Sequence, residues 1–284
     1  MLDKIQKWAK TQSEIRVVLL TSSRASKNEK VDQLSDYDIE LYVEDMNPYV
    51  ENNNWLSKFG EVLMLLPEKR ELLGIKQPMR LVIYKNGDKV DFTLADIAVL
   101  KKICSLPHLP DWLDDGYKVL LDKDGLTKKL KRPTYKSYIP KKPSEEEFRK
   151  LVSEFWWDTT YVAKNLWRKE ILPAKYSSDV VIRYKLLLKM LEWYIQINRG
   201  WNYRTGFVGK GVIESLNKSE LDELRGIFSS ADVEENWQAL FNTIKFFRKI
   251  AVAVAHNLEY EYPYELDNNV FEYVKKIWDN GKCK

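Results

Sequence analysis

Two short stretches decide the fold of this chain: LLTSSRA at residues 19–25 and SDYDIEL at residues 35–41. The first ends a run from 15 to 20 that is rich in β-branched residues and leucine, which is typical of a buried strand. The second opens a strictly alternating run from 36 to 43, which predicts another strand. We therefore expect two strands joined by a turn of small residues and a polar loop.

The second strand carries acidic residues on one face. Side chains two residues apart on a strand point to the same side, so Asp36, Asp38 and Glu40 share a face and the apolar residues share the other. Packing explains the apolar face. Two carboxylates about 7 Å apart along a strand gain nothing from each other unless solvent or a cation neutralises them.

A third aspartate fits the same arrangement. The alternating runs 79–84 and 89–94 flank Asn86-Gly87, which predicts a hairpin and therefore a mixed sheet with at least one antiparallel pair. Asp91 lies in the second run. If that strand lies beside the strand of Asp36 and Asp38, the three aspartates meet at one end of the sheet as the oxygen-rich site that Mg²⁺ prefers. Two such ions can activate a hydroxyl and orient a triphosphate.

The turn after the first strand can hold phosphate. Ser22, Ser23 and Arg24 offer backbone and hydroxyl donors and one cation. An Asp-x-Asp pair taken alone is ordinarily a solvated surface. The combination of turn, pair and third aspartate favours a catalytic interpretation instead.

These residues resemble the Gly-Ser…Asp-x-Asp signature of the polymerase-β-type nucleotidyltransferase superfamily. Longer segments are similar to the aminoglycoside 6-adenylyltransferases, which modify streptomycin. They are SRA at 23–25, DYDI at 36–39, EFWW at 154–157, VAK at 162–164, RKEIL at 168–172, ENWQAL at 235–240 and YEYP at 260–263. The similarity runs through nearly the whole chain.

The resemblance implies Mg²⁺-dependent transfer of AMP from ATP to a hydroxyl of streptomycin, at position 6, with release of pyrophosphate and inactivation of the drug. Asp36 and Asp38 fall on the family's metal-binding carboxylates and Asp91 on the third, which is also our candidate general base. Ser23 and Arg24 fall on the triphosphate-binding turn. Ser22 stands where the family usually has glycine, so we expect weaker ATP binding or slower turnover without loss of either.

Past Pro143 the character of the chain changes, and helical periodicity dominates. We predict an α+β fold with a mixed-sheet nucleotidyltransferase catalytic domain at residues 1–135 and a helical-bundle, acceptor-binding domain at residues 136–284. The predicted helices of the second domain cover 144–172, 178–198, 219–228, 233–258 and 268–279. Ser144, followed by three glutamates, is a suitable N-cap for the first of them.

One stripe of that helix is our candidate for the acceptor site. Streptomycin-like acceptors are polycations rich in hydroxyls, which suits carboxylates and flat aromatic rings. Helical spacing places four such residues on one stripe: Glu154, Trp157, Asp158 and Tyr161. The alternative for the tryptophans is core packing, whereas the two acids are harder to bury unpaired.

Composition limits the partners. With 46 basic and 42 acidic residues, the net charge of +4 gives no field of the kind that binds nucleic acid. No signal-peptide pattern and no run of about 18 apolar residues is present, so we expect a soluble cytoplasmic protein without membrane contact. Cys104 and Cys283 form no disulfide framework or metal motif. The oligomeric state is left open.

Several alternatives stay open at this point. The acceptor of the same catalytic head can be a lincosamide, a protein hydroxyl or an RNA 3′ end, although the near-neutral charge disfavours RNA. A non-catalytic module on the same fold is a further alternative. The Gly206–Gly211 segment lacks P-loop spacing and is interpreted as a loop between helices, and His256, in an apolar run, as a core histidine.

Overall fold

The structure is a computed structural model that describes residues 1–282, so Cys283 lies outside the described residues. The chain divides into two compact units, Met1–Tyr138 and Ile139–Lys284. The first unit holds a mixed sheet and the second is helical, which confirms the α+β fold class. The division falls three residues after the predicted boundary.

The first unit is built on one sheet of six strands. They are β1 (Ile15–Thr21), β2 (Tyr37–Val43), β3 (Val62–Leu72), β4 (Ile75–Tyr84), β5 (Lys89–Asp96) and β6 (Lys118–Asp122). The strand order is β3-β4-β5-β2-β1-β6. Within this sheet β2 and β5 run parallel, and the other neighbouring pairs run antiparallel. The predicted β4–β5 hairpin at Asn86-Gly87 is confirmed.

Apolar side chains cover both faces of the sheet. The unit also holds four helices: α1 (Leu2–Thr11), α2 (Asn47–Val50), α3 (Ile97–Ser105) and α4 (Asp111–Asp114). Residues of α1, with Trp55 and Phe59, pack against Ile39, Leu41 and Phe92 on one face. Residues of α3 and α4 pack against Tyr42 and Ala95 on the other face. Alternation along β2 therefore feeds two cores.

The second unit is a set of helices around one apolar core. The helices are α5 (Glu145–Trp167), α6 (Ile171–Lys175), a π-helical segment Tyr176–Leu187 that continues into α7 (Leu188–Arg199), then α8 (Lys218–Arg225), α9 (Val233–Leu258) and α10 (Tyr264–Lys282). Ser144 caps α5 in a capping box with Glu147, as the glutamate-rich start of that helix predicts. Phe155 and Phe247 stack at 3.5 Å between ring centroids in the core.

The structure also places the Gly206–Gly211 segment and His256. The Gly206–Gly211 segment does lie between α7 and α8, as short turns. The interpretation of His256 as a core residue is wrong, because its side chain is exposed. The buried positions of α9 near it are Val254, Ala255 and Leu258, so the 3.6-residue period turns position 256 toward solvent.

Among residues 1–282, no helix has both the length and the apolar character needed to cross a bilayer.

Candidate active site

The parallel pair β2–β5 brings two of the predicted site residues side by side. Asp38 is the register partner of Asp91, and Thr21 at the end of β1 is the antiparallel partner of Asp38. Paired residues on neighbouring strands point to the same face. The expectation that the Asp91 strand lies beside the Asp36–Asp38 strand is confirmed, and the three aspartates reach one end of the sheet.

Lys89 lies among these carboxylates, and the sequence analysis did not select it. Its Nζ is 2.6 Å from Asp36 Oδ2 and 4.0 Å from Asp91 Oδ2. Lys89 and Asp91 are two residues apart on β5, so their side chains share a face. That spacing was a usable signal, because a lysine two positions before an acidic site residue must lie on the same side of the strand.

Burial and mutual repulsion disturb the ionisation of the two paired aspartates. Burial first, and then the charge of Asp91, raise the pKa of Asp38 from 3.8 to about 6. Burial also raises the pKa of Asp91, although the ammonium of Lys89 opposes the rise. Within the described residues, no donor lies within hydrogen-bonding distance of the buried Asp91 Oδ1. The site therefore carries negative charge that the protein itself only partly neutralises.

A divalent cation suits this donor set. With the side chains as they lie in residues 1–282, no group of three or more His, Cys, Asp or Glu could hold a metal ion. Carboxylate oxygens are nevertheless the ligands that Mg²⁺ prefers. An ion beside Asp38 and Asp91 would neutralise their repulsion and give Asp91 Oδ1 a partner. Ligation by Asp36, Asp38 and Asp91 stays a prediction.

The turn after β1 is strained at the position where the family usually has glycine. Ser22 begins a 3₁₀ turn, Ser22–Arg24, with a φ of 55°. This left-handed conformation costs free energy for a residue with a Cβ, whereas glycine adopts it without that cost. The Ser22 carbonyl accepts hydrogen bonds from the amides of Ala25 and Ser26. The Ser22 hydroxyl lies near Asp38 and lowers the pKa of that carboxylate, so the turn is adjacent to the carboxylates.

Arg24 holds the loop that leads into β2. Its guanidinium donates hydrogen bonds to the carbonyls of Ser35, at 2.7 Å, and Asp36, at 3.1 Å. It also lies 3.9 Å from the centroid of the Tyr37 ring. These contacts position Asp36 relative to the turn. A role for Ser23 and Arg24 in holding the triphosphate stays a prediction.

The segment that leads into β6 packs against the turn after β1. Gly116 has a φ of 128°, and a Cβ at this position would lie 2.7 Å from the Ala25 carbonyl oxygen. Lys118 Nζ donates a 2.8 Å hydrogen bond to the Arg24 carbonyl. The backbone of the turn is therefore packed directly against the segment that leads into β6.

A buried ion pair extends the charged face away from the aspartates. Glu40 is buried and accepts hydrogen bonds from the Tyr42 hydroxyl at 2.7 Å and from Arg70 Nη1 at 3.2 Å. The positive charge of Arg70 also lowers the pKa of Asp38. Arg70 belongs to β3, which is separated from β2 by two strands in the sheet. No spacing in the sequence indicates this contact.

In the second unit, the predicted acceptor stripe of α5 lies on the surface. Trp157 is 66% exposed and Tyr161 is 43% exposed, and Trp157 Nε1 donates to the Tyr161 hydroxyl at 3.2 Å. The alternative prediction that Trp157 packs in the core is therefore wrong. Core packing is correct for Trp156, which is fully buried.

The acids of the stripe are close enough to affect each other. Burial and the charge of Glu154 raise the pKa of Asp158, and Lys185 opposes this rise. Glu154 itself is 3.9 Å from Lys150 in an exposed ion pair. The stripe thus presents two rings and two acids on one helix surface. Binding of an acceptor there stays a prediction.

Known proteins resemble this chain over nearly its whole length. The streptomycin adenylyltransferase family matches residues 1–277. The aminoglycoside 6-adenylyltransferase of Bacillus subtilis is 32% identical over 99% of this chain and 98% of its own, and that of Staphylococcus aureus is 30% identical over the same shares. A crystal structure of an aminoglycoside 6-adenyltransferase from Bacillus subtilis aligns with 98% of this chain and 97% of its own, with 30% identity and a TM-score of 0.48. The chain therefore belongs to the streptomycin adenylyltransferase family and is a nucleotidyltransferase enzyme.

Proposed function

We propose that this enzyme transfers AMP from ATP to a hydroxyl of an aminoglycoside in a Mg²⁺-dependent reaction that releases pyrophosphate. Streptomycin, modified at position 6, is the acceptor we expect, and inactivation of the drug is the consequence. One observation carries the proposal: Asp38 and Asp91 are register partners on parallel strands, beside a turn of small residues. Membership of the family supports adenylyl transfer.

Three carboxylates would hold the metal. Asp36, Asp38 and Asp91 are the ligands we propose, and two Mg²⁺ ions fit the charge of three acids and a triphosphate. Bound Mg²⁺ would orient the triphosphate and stabilise the charge that develops on its oxygens. Asp91 has a second role as general base, since one of its carboxylate oxygens can bind the metal while the other takes the acceptor's hydroxyl proton.

The turn after β1 would hold the triphosphate. Ser22 and Ser23 offer hydroxyl and backbone donors, and Arg24 adds a cation. Arg24 already donates to the carbonyls of Ser35 and Asp36, so its first effect is to fix the loop beside the phosphates. We expect the Ser22 hydroxyl, which lies near Asp38, to donate a hydrogen bond to a phosphate oxygen.

The acceptor would bind through the α5 stripe. Trp157 and Tyr161 present ring surface to solvent, and Glu154 and Asp158 supply negative charge. A polycationic, hydroxyl-rich molecule matches this combination, because its cationic groups can pair with the acids and lie over the rings. We place the reaction in the cytoplasm, where ATP is supplied, with these small molecules as partners. We expect no nucleic acid partner, because basic and acidic residues nearly cancel.

The decisive experiment measures pyrophosphate release from ATP and Mg²⁺ with streptomycin. Asp91→Asn is expected to fold normally and to lose transfer by two or more orders of magnitude, the scale of positioned acid–base and metal functions. Asp88→Asn is the matched control, since it removes the same charge from the β4–β5 turn, where Asp88 pairs with Asn86. Near-normal activity of Asp91→Asn would refute the assignment.

The same assay separates the possible acceptors. Streptomycin is compared with other aminoglycosides, with lincomycin, and with protein and RNA acceptors at equal concentration. Release that depends on streptomycin supports the proposal. Release only with another class would move the acceptor to that class, and no release with any of them would favour a non-catalytic module.

A further inference from the structure

We propose that Lys89 is a built-in counter-ion of the carboxylate group, and that a divalent cation binds by displacing its ammonium from Asp36. This inference rests on the proposed function, because it assumes that the three aspartates hold a metal. It adds a competing residue to that site. Lys89 would hold the site together before the metal arrives and determine how tightly the metal binds.

The position of Lys89 is the first support. Its Nζ contacts Asp36 at 2.6 Å and reaches Asp91 at 4.0 Å, so the ammonium lies between two proposed ligands. Lys89 directly precedes Val90, and Asp36 directly precedes Tyr37, which is the register partner of Val90. Lys89 is therefore level with Asp36. A metal bound to Asp36 Oδ2 and an ammonium 2.6 Å from the same oxygen compete, because two cations that close to one oxygen repel each other.

The incomplete neutralisation of the site is the second support. Lys89 contacts Asp36 and lies 4.0 Å from Asp91, and the charge of Arg70 acts on Asp38, but Asp91 Oδ1 has no hydrogen-bond donor within the described residues. These positive charges relieve the repulsion between Asp38 and Asp91 only in part, because the charge of Asp91 still raises the pKa of Asp38. A divalent cation offers twice the charge and several ligand positions, so it can outcompete the ammonium.

The third support is that Lys89 has room to leave. Its side chain is 40% exposed and sits on a four-carbon stem, whereas its backbone is fixed in the ladder between β4 and β5. The ammonium can therefore swing into solvent without moving the strand that carries Asp91. Displacement changes a rotamer and leaves the sheet intact.

Metal binding without ATP or aminoglycoside tests the competition. Mn²⁺ affinity is measured by electron paramagnetic resonance on the full chain, on Lys89→Met and on Lys85→Met. We expect Lys89→Met to bind Mn²⁺ roughly five- to tenfold more tightly, the scale of a partly exposed ion pair beside a further carboxylate. Lys85 lies on the same β4–β5 hairpin as Lys89 and pairs with Glu61. Lys85→Met is therefore expected to bind Mn²⁺ as tightly as the unaltered chain. Equal or weaker binding by Lys89→Met overturns the inference.

Chemical accessibility of the amine tests displacement itself. Lysine acylation, read by mass spectrometry, is expected to label Lys89 slowly in the metal-free protein and severalfold faster with saturating Mg²⁺, while labelling of Lys85 stays constant. Unchanged labelling of Lys89 in a protein that binds the metal overturns the inference and leaves the proposed function standing. Failure of the unaltered chain to bind Mn²⁺ or Mg²⁺ at all would overturn both.

Discussion

At the scale of single residues, Ser22 has an unfavourable backbone conformation and a side chain close to Asp38. Its φ of 55° disfavours a side chain, while its hydroxyl lies near Asp38 and lowers the pKa of that carboxylate. Ser22→Gly removes both the strain and the hydroxyl, whereas Ser22→Ala removes only the hydroxyl. We expect Ser22→Gly to be more stable than Ser22→Ala by about 1 kcal/mol, after the extra freedom of glycine in the unfolded chain is subtracted.

Thermal unfolding of the two variants measures this difference, and the KM for ATP shows its functional side. We expect a lower KM for ATP in Ser22→Gly than in Ser22→Ala, because glycine lets the backbone approach phosphate closely. If Ser22→Ala is as stable as Ser22→Gly, the strain at position 22 is no larger than the entropic cost of glycine, about 0.4–1 kcal/mol.

The raised pKa of Asp38 predicts that the stability of the metal-free protein depends on pH. Because its pKa is raised from 3.8 to about 6 in the folded protein, the folded state binds this proton more tightly than the unfolded state. Ionisation of Asp38 therefore costs stability as pH rises from about 4 to 6, and the full cost persists above that range. In metal-free protein at pH 8, Asp38→Asn is expected to be more stable than the unaltered chain by about 3 kcal/mol.

Denaturant unfolding in the presence of a chelator, at pH 8 and near pH 4, checks this expectation. The gap should shrink toward pH 4, where both proteins carry a neutral side chain at position 38. Asp36→Asn is the matched control, since it breaks the ion pair with Lys89 and should not stabilise at either pH. An Asp38→Asn gain that does not change with pH would contradict the electrostatic explanation.

Residues whose positions follow from local alternation were predictable from the sequence. The period of two placed Asp36 and Asp38 on one face of their strand, whereas the meeting with Asp91 also depended on β5 lying beside β2. Arg70 could not be found this way, because its approach to Glu40 depends on how a hairpin two strands away lies over the sheet. The φ of Ser22 was likewise open, since small residues adopt several turn conformations.

At the scale of elements, strong periodicity was predictable and short or irregular segments were not. The helix at 233–258 was predicted with the bounds that the structure has. Strand β6 was missed because KVLLD is short and its apolar residues are continuous rather than alternating. Helix α3 was also missed, since it follows β5 without a break, with Asp96 as its N-cap.

The α5 stripe is the element whose function is most directly testable. Glu154→Gln removes one charge from an exposed position, and Trp157→Ala removes an exposed ring, so neither should change the melting temperature by more than about 1 °C. We expect Glu154→Gln to raise the KM for streptomycin severalfold through the lost ion pair, with kcat nearly constant. Trp157→Ala should act in the same direction.

Steady-state kinetics with streptomycin as the varied substrate provide the measurement. Glu146→Gln, in the first turn of the same helix and outside the stripe, is the control and should leave the KM for streptomycin unaltered. An unchanged KM in Glu154→Gln would remove that residue from the acceptor site, and an unchanged KM in both stripe variants would remove the stripe.

At the scale of the whole molecule, each unit has its own apolar core. The core of the second unit draws on residues from 148 to 274, and the two clusters of the first unit draw on residues from 5 to 130. A unit with a complete core is expected to fold by itself. We therefore expect a fragment of residues 139–284 to fold cooperatively as a helical protein.

Circular dichroism of that fragment, followed through thermal unfolding, measures this independence. A single sigmoidal transition with a near-ultraviolet signal from its buried tryptophans is the expected outcome. A helical fragment that lacks the near-ultraviolet signal and melts gradually would show that its core needs the first unit.

The direction of β5 has a consequence for how this sheet can do chemistry. Because β5 runs alongside β2 in the same sense, both strands enter the sheet at the same edge, and an early residue on one meets an early residue on the other. With β5 reversed, the same composition would carry Asp91 to the opposite edge, several residues and more than 10 Å away at about 3.3 Å per residue. Chain direction, as much as residue identity, makes one acidic cluster out of two ordinary strands.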